Sequence, residues 1–156
     1  MTHIAPDGSV HMVDVGAKPP TQRVAIAEAT VQLSAAALRA LQAGTIAKGD
    51  ALTTAQIAGI AAAKRTSDLI PLCHPLQLTH VDVSLNIAPP RSVLIRCEVA
   101  CLGPTGVEME ALTGVAVAAL TLYDMCKAVD RRATIQRMQL VEKRGGKSGV
   151  FKRRRG

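Results

Sequence analysis

Aromatic side chains are nearly missing: Tyr123 and Phe151 are the whole set. Base-stacking nucleic-acid modules need several exposed aromatics, so that class is disfavoured at the outset. The core has to be assembled from Ala, Val, Ile, Leu and Met, which pack closely but supply few large anchors. CxxC spacings are missing too. The four cysteines are Cys73, Cys97, Cys101 and Cys126. Cys97 and Cys101, four apart on one face of an expected strand, suit buried thiols better than a metal site. No basic segment followed by an apolar run opens the chain, so a signal peptide is not expected. The longest uncharged apolar stretch, Ala111–Tyr123, is too short to span a bilayer. These absences lead to the expectation of a reducing cytoplasm and of no membrane partner.

What is present is ordinary globular composition: 156 residues, 48% apolar and 20% charged. That length favours a single domain over residues 1–156. The formal charge of +7 is unevenly placed. Residues 143–156 carry seven Lys or Arg (Lys143, Arg144, Lys147, Lys152, Arg153, Arg154, Arg155) and no acid. Setting these aside leaves twelve basic residues against twelve acidic ones, so the body is formally neutral. A solvated basic tail accounts for the excess without any nucleic acid. Both ends, 1–11 and 152–156, are expected to be flexible, and a small aliphatic domain of this kind gains stability from oligomerisation.

Periodicity supplies the elements. Met12–Val15 reads as a short strand after a loose start. Arg23–Leu33 alternates imperfectly and predicts a strand. Ser34 can cap a helix running through Gln42, with Gly44 ending it. Asp50 or Thr53 starts a second helix, about Leu52–Lys64. Pro71 and Pro75 bracket an irregular Leu72-Cys73-His74. Two cleanly alternating strands follow, Thr79–Ile87 and Val93–Leu102, with Pro89-Pro90-Arg91 turning between them. After a turn over Gly103–Gly106 comes a long helix, about Glu108–Val129, then a strand over Thr134–Glu142 and a loop over Gly145–Gly149. Strand, helices, strand, strand, helix, strand is the ferredoxin-like βαββαβ plan, an α+β fold with an antiparallel sheet and helices packed on one face. The uncovered face predicts pairing with another copy.

Charged residues gather near element ends, where loops carry function. Lys48 precedes the helix start at Asp50, and a helix N-terminus attracts anions; a capping Asp50 beside a solvent-facing lysine explains the same residues. His74, set between Cys73 and Pro75, suits an acid, a base or a hydrogen-bond donor, and equally a structural histidine. Cys73, His74 and His80 would make a poor zinc site, because adjacent ligands rarely fit a tetrahedron and no fourth partner is evident. Glu108 and Glu110 open the long helix, where acids suit the dipole; two close carboxylates can also hold different pKa values. Asp124 and Lys127 lie three apart on one helix face. Their setting after thirteen uncharged residues predicts partial desolvation, with Lys127 a tunable acid and Asp124 its partner or a base. Lys143-Arg144-Gly145-Gly146-Lys147-Ser148-Gly149 combines glycines that permit close backbone approach with cations suited to phosphate oxygens, although the spacing excludes a Walker A loop. No Ser-His-Asp triad and no GxGxxG is seen. Spacing alone reaches a lysine-rich site with acid–base groups for a phosphorylated small molecule.

Longer runs carry a resemblance. They are Met12-Val13-Asp14-Val15, Lys48-Gly49-Asp50, Ala63-Lys64-Arg65-Thr66 with Asp68-Leu69-Ile70-Pro71-Leu72-Cys73-His74-Pro75-Leu76, and Gly106-Val107-Glu108-Met109-Glu110-Ala111-Leu112-Thr113. Tyr123-Asp124-Met125-Cys126-Lys127-Ala128-Val129 and Gly145-Gly146-Lys147-Ser148-Gly149 complete the set, which spans nearly the whole chain. In these runs the sequence resembles the cyclic pyranopterin monophosphate synthase family of molybdenum cofactor biosynthesis. The resemblance implies a lyase that converts 3′,8-cyclo-7,8-dihydroguanosine triphosphate to cyclic pyranopterin monophosphate and diphosphate. It implies a homohexamer, a trimer of dimers with sites at subunit interfaces, supplied by a radical S-adenosylmethionine GTP cyclase. No resident cofactor or metal is expected, with magnesium on the triphosphate as the one open alternative. By position in the matched motifs, Asp124 resembles the family's catalytic aspartate, and Lys48 and Lys127 its catalytic lysines. Leu72, Cys73 and His74, with Met109 and Glu110, resemble its substrate-binding segments. Glu108 and Lys143 match further active-site positions, and Lys147 is a further candidate cation.

The residues suit that chemistry. Opening a guanine five-membered ring and closing a pterin takes several proton transfers, which Lys48, Asp124 and Lys127 can supply. Displacing diphosphate builds negative charge that Lys143, Lys147 and the helix end near Lys48 can stabilise. There are departures: Arg144 stands where a small hydroxyl residue is common, and Lys152–Gly156 lies outside the resemblance. Gly114 inside the long helix costs ~1 kcal/mol relative to alanine, which close helix packing would explain. Two alternatives from other classes are a non-catalytic paralogue acting as a scaffold and a nucleic-acid-binding module using the basic tail.

Overall fold

The structure, a computed structural model, describes residues 3–154. Its elements are β1 (Thr21–Gln32), α1 (Ala35–Gln42), α2 (Ala51–Ala63), α3 (Thr66–Leu69), β2 (Leu78–Ala88), β3 (Ser92–Gly103), α4 (Glu108–Cys126), β4 (Thr134–Arg144) and β5 (Phe151–Lys152). The strands form one antiparallel sheet in the order β2-β3-β1-β4-β5. With β5 set aside, this is the ferredoxin-like α+β arrangement expected from the element order.

Local chemistry explains the boundaries. The Ser34 hydroxyl accepts a hydrogen bond from Ala37 N at 3.2 Å and starts α1, which ends before Gly44 at φ +66°. Asp50, rather than Thr53, caps α2: its Oδ1 accepts from Thr53 N at 3.0 Å and its Oδ2 from the Thr53 hydroxyl at 2.6 Å. Alternation places Ala25, Ala27, Ala29 and Val31 of β1, and Val93, Ile95, Cys97, Val99 and Cys101 of β3, in the core beneath α2 and α4. Burial pushes the Cys97 thiol up to about 12 and the Cys126 thiol up to about 11, so both are inert packing groups. The opposite face carries a polar network: Arg96 reaches Glu28 at 3.1 Å and Glu98 at 3.8 Å. A concavity of about 680 Å³ on that face contains none of the residues matched in the family motifs around Lys48, His74 or Asp124.

α2 and α4 cross with their backbones in near contact. A Cβ built on Gly59 would lie 2.9 Å from the Gly114 carbonyl oxygen, and one on Gly114 would lie 2.7 Å from Cys97 Sγ. Glycine at 114 therefore trades helix propensity for a close crossing over the sheet. With 19 residues, α4 is long and apolar enough by composition to cross a membrane, where Ala111–Tyr123 alone is not. Here it is the central core helix, with Val115, Ala118, Ala119 and Leu122 fully buried.

Several expectations change. α4 ends at Cys126 instead of Val129, because the amides of Val129 and Asp130 both turn back to the Cys126 carbonyl. Asp130 is buried there, accepting from Ser34 N at 2.6 Å and from Arg132 N at 3.0 Å, which ties the end of α4 to the start of α1. β4 continues to Arg144, bulged twice against β1, with Arg137 at φ +52°. Met12–Val15 is not a strand: its Val13 carbonyl bonds to His74 rather than to a neighbouring strand. α3 and β5 had no signal in the periodicity. The terminal segments expected to be flexible carry hydrogen bonds. His11 N donates to His3 O at 3.0 Å, and Arg153 N donates to Val141 O at 2.8 Å beyond β5. Residues 1–2 and 155–156 of those segments lie outside the described residues.

Because a methyl group at 114 would lie 2.7 Å from Cys97 Sγ of β3, Gly114→Ala is expected to destabilise the fold by about 1–3 kcal/mol despite the better helix propensity of alanine. Urea unfolding measures this, and an unchanged or raised midpoint would show that Cys97 yields freely to the added methyl group.

Candidate active site

The sequence-matched residues fall into two groups at opposite ends of the sheet. The first lies at the C-terminal end of α4 and combines Lys48, Asp124 and Lys127. Lys127 Nζ sits 2.7 Å from Asp124 Oδ1, and Lys48 Nζ sits 2.5 Å from Oδ2. Lys48 also donates to the Asp124 backbone carbonyl at 3.0 Å. Each carboxylate oxygen thus faces its own ammonium group. The hydrogen bond from Lys127, then that from Lys48, lowers the Asp124 carboxyl to about 2. The same bond to Asp124 raises Lys127 above its usual range.

This corrects the expectation of a partly desolvated pair. Asp124 and Lys127 are each 51% exposed and Lys48 is 42% exposed in the single chain. Lys127 is consequently a firmly protonated ammonium rather than a group tuned down by burial. Ion pairs this exposed contribute little to stability, so fold stability does not account for three charges gathered on one helix end.

The second group surrounds a cavity of about 340 Å³ at the N-terminal end of α4, which Leu72, Cys73, His74, Glu108, Met109 and Glu110 line together. Glu110 is 4% exposed. Burial pushes its carboxyl up, the neighbouring Glu108 carboxylate pushes the same way, and its own backbone N–H partly offsets both. Burial, then Glu110, pushes the Cys73 thiol up, so it is a neutral thiol and a poor nucleophile. His74 Nε2 donates to the Val13 carbonyl at 2.7 Å, which fixes its tautomer and draws residues 13–15 over the cavity. Lys143 Nζ stands 4.0 Å from Glu108 and donates to the Ser148 hydroxyl. Lys147 is exposed on the adjoining glycine loop. His80 belongs to a separate recess with Lys64, away from Cys73 and His74. Among the described residues, no three His, Cys, Asp or Glu side chains gather as a metal site.

Sequence reasoning missed Arg23 and its packing against the glycine pair. Arg23 donates from Nε to Gly103 O and from Nη2 to Pro104 O, each at 3.2 Å. A side chain on Gly145 would strike the Gln22 carbonyl and one on Gly146 would strike the Arg23 guanidinium. Those glycines, at φ +97° and +75°, make room for the Gln22 carbonyl and the Arg23 guanidinium. A charged residue at a strand start, facing a Gly-Gly pair far along the chain, gave no local signal. Likewise the Glu108 carboxylate curls over Gly106, where any Cβ would collide with it.

A carboxylate held between two ammonium groups, with a separate cavity walled by a buried carboxyl, a thiol and a histidine, marks an enzyme of the acid–base kind. The sequence pattern of the MoaC family matches residues 12–146. A protein of Desulfitobacterium hafniense named cyclic pyranopterin monophosphate synthase is 52% identical over 151 residues, covering 97% of this chain and 93% of its own. Proteins of Mycobacterium bovis and Mycobacterium tuberculosis named cyclic pyranopterin monophosphate synthase 1 are each 56% identical over 153 residues, covering 98% of this chain and 90% of theirs. The chain belongs to the MoaC family and is a lyase of molybdenum cofactor biosynthesis.

The depressed Asp124 carboxyl gives a direct check. Its folded pKa lies below the ordinary carboxylate value of roughly 3.9, so the cluster is complete above that value and is lost as pH falls toward about 2. Carbon-13 NMR titration of the Asp124 carboxyl is expected to place its midpoint near 2, and Lys127→Met is expected to raise it. A wild-type midpoint near 4 would show that the ammonium groups do not hold it.

Proposed function

We propose that the chain converts 3′,8-cyclo-7,8-dihydroguanosine triphosphate to cyclic pyranopterin monophosphate with release of diphosphate. The observation that carries this reading is the pairing of Asp124 with both Lys48 and Lys127. The reaction must open the five-membered ring of a guanine system, build a pterin ring and expel diphosphate. The first two stages need protons delivered and removed at several atoms. Asp124 holds two ammonium groups at fixed positions, and Lys127, kept protonated by that contact, is the proton donor. The last stage gathers negative charge on the leaving diphosphate, which the cations of the glycine loop, Lys143 and Lys147, stabilise. Glu108, Met109, Glu110, Leu72, Cys73 and His74 bind the ring system in the cavity. The enzyme needs no resident cofactor; any magnesium arrives with the triphosphate. A radical S-adenosylmethionine enzyme acting on GTP supplies the substrate.

One subunit does not hold both groups together. Sixteen positions of helix separate Glu108 from Asp124, a span of about 24 Å at 1.5 Å per residue. A ring bound in the cavity is therefore out of reach of Lys48 and Lys127 of its own chain. The proposed enzyme is a homo-oligomer, a hexamer built as a trimer of dimers, in which the α4 C-terminal cluster of one copy faces the cavity of another. The exposure of Asp124 in the single chain supports this, since a second copy is what would exclude water from it.

Incubation with the cyclised triphosphate, reading diphosphate and pterin product, is expected to show turnover, and Lys127→Ala is expected to lower it by ~10²–10⁴. Normal turnover by Lys127→Ala would remove its assigned role. Lys48→Ala and His74→Ala, each inactive alone, are expected to recover about a quarter of wild-type activity when dissociated and reassembled together, because half of the reassembled dimers are mixed and one of the two sites in each is intact. No recovery would place each site within a single chain.

A further inference from the structure

The segment between His74 and β1 offers a cation that the proposed reaction has not used. Lys18 is half-buried and lines the cavity with Glu108 and Glu110. Its ammonium makes no ion pair or side-chain hydrogen bond among the described residues. Its position is set from both sides. On one side the Val13 carbonyl is latched to His74 at 2.7 Å, Gly16 N donates to Asp14 Oδ1 at 2.8 Å, and Lys18 N donates to Val15 O at 3.0 Å. On the other, Pro19 and Pro20 lead straight into β1, and a residue before proline is confined to extended backbone. The lysine is therefore held at the cavity wall by its chain while its charge is left unmatched.

The chemistry of the cavity decides what it meets. Two acidic side chains line the same space, so a triphosphate lying here would face the oxygens of Glu108 and Glu110 rather than donors. A neutral heterocycle does not have that difficulty. At about 340 Å³, the cavity sits near the lower end of small-molecule pockets, roughly 300–1,000 Å³, which suits a bicyclic ring rather than a whole nucleotide. The carboxyl oxygens of Glu108 and Glu110 accept hydrogen bonds, whereas an ammonium group only donates them. The ring edge complementary to both carries N–H donors beside one carbonyl oxygen, which is the edge of guanine and not that of adenine.

We propose that Lys18 is a specificity-determining residue, whose ammonium donates to the ring carbonyl oxygen of a guanine-type heterocycle while Glu110 takes the adjacent N–H groups. An amino group at the carbonyl's place leaves two donors facing each other and is rejected. This deepens the proposed reaction, with which it shares a guanine-derived ring in this cavity.

GTP and ATP are suitable probes, since they share the triphosphate and differ at the ring edge. Calorimetric titration of the full-length wild type is expected to show GTP bound at least ~10-fold more tightly than ATP. Lys18→Met is expected to weaken GTP about 10-fold while changing ATP less than about twofold, and Lys18→Arg to keep most of the preference. Equal weakening of both nucleotides would place the ammonium on the phosphates and overturn the proposal, as would unchanged GTP affinity or a wild type that does not distinguish the two. A thermal midpoint unchanged in Lys18→Arg separates recognition from folding. Guanine discrimination through Lys18 without turnover of the cyclised triphosphate would uphold this inference and sink the proposed reaction. Turnover with no such discrimination would do the reverse.

Discussion

α4 runs the full length of the sheet, and its two ends cannot meet. That constraint arranges everything chemical in the chain. Each helix of the βαββαβ plan carries the chain from one end of the sheet to the other. α2 begins at Asp50 beside the far end of α4 and delivers the chain to β2 at the near end. Lys48, just before α2, therefore meets Asp124, at the C-terminal end of α4. The segment after α2, Leu72 to His74, meets Glu108 to Glu110, at the N-terminal end. The close crossing of Gly59 and Gly114 locks the two helices into this relation. The same topology that builds the core divides the polar residues into two sets, the cavity in one and the Asp124–lysine cluster in the other.

The two sets also differ in electrostatic character, for a simple reason. At the C-terminal end of α4 the charges are exposed and satisfied by one another: two ammonium groups hold one carboxylate ionised down to about pH 2. At the N-terminal end the groups are enclosed, and burial favours their neutral forms, raising both Glu110 and Cys73. An ionised, solvated cluster is poor at moving protons because each group is held at the wrong end of its range. Excluding water strengthens every electrostatic contact at the cluster, those to a bound substrate included. An open cluster and an enclosed cavity are thus chemically complementary, which is what the proposed oligomer asks of them.

Much of this was legible in the sequence, and the illegible part has a common cause. Helix caps and strand alternation are local, so Ser34, Asp50 and the β3 pattern were readable directly. Gly114 was readable as an anomaly, since a mid-helix glycine asks for a close neighbour, though not which one. The grouping of site residues into motifs was also readable, because cavity walls come from contiguous runs. What could not be read was distance. Lys48 and His74 sit in equally specific motifs, and only the helix length between Glu108 and Asp124 shows that they serve different ends. Exposure was misjudged at Asp124 for the same reason: an apolar stretch before it describes the middle of α4, not its end. β5, only two residues long, and the Val13–His74 bond depend on partners far along the chain and leave no periodic trace.

The glycine loop shows how a sequence pattern can be right in charge and wrong in geometry. Gly145 and Gly146 look like a phosphate cradle, but the space they open is occupied by the Arg23 guanidinium and the Gln22 carbonyl. Arg23 spends its donors on the Gly103 and Pro104 carbonyls, neutral acceptors that leave its positive charge uncompensated. Lys143 meets Glu108 only at 4.0 Å, and Lys147 stands exposed beyond it. What the loop offers an anion is therefore side-chain charge. A cation field of that kind tolerates a leaving group that changes shape as it departs, whereas a backbone cradle would hold it in one pose. For the proposed reaction, which ends in diphosphate release, the looser grip is the more useful one.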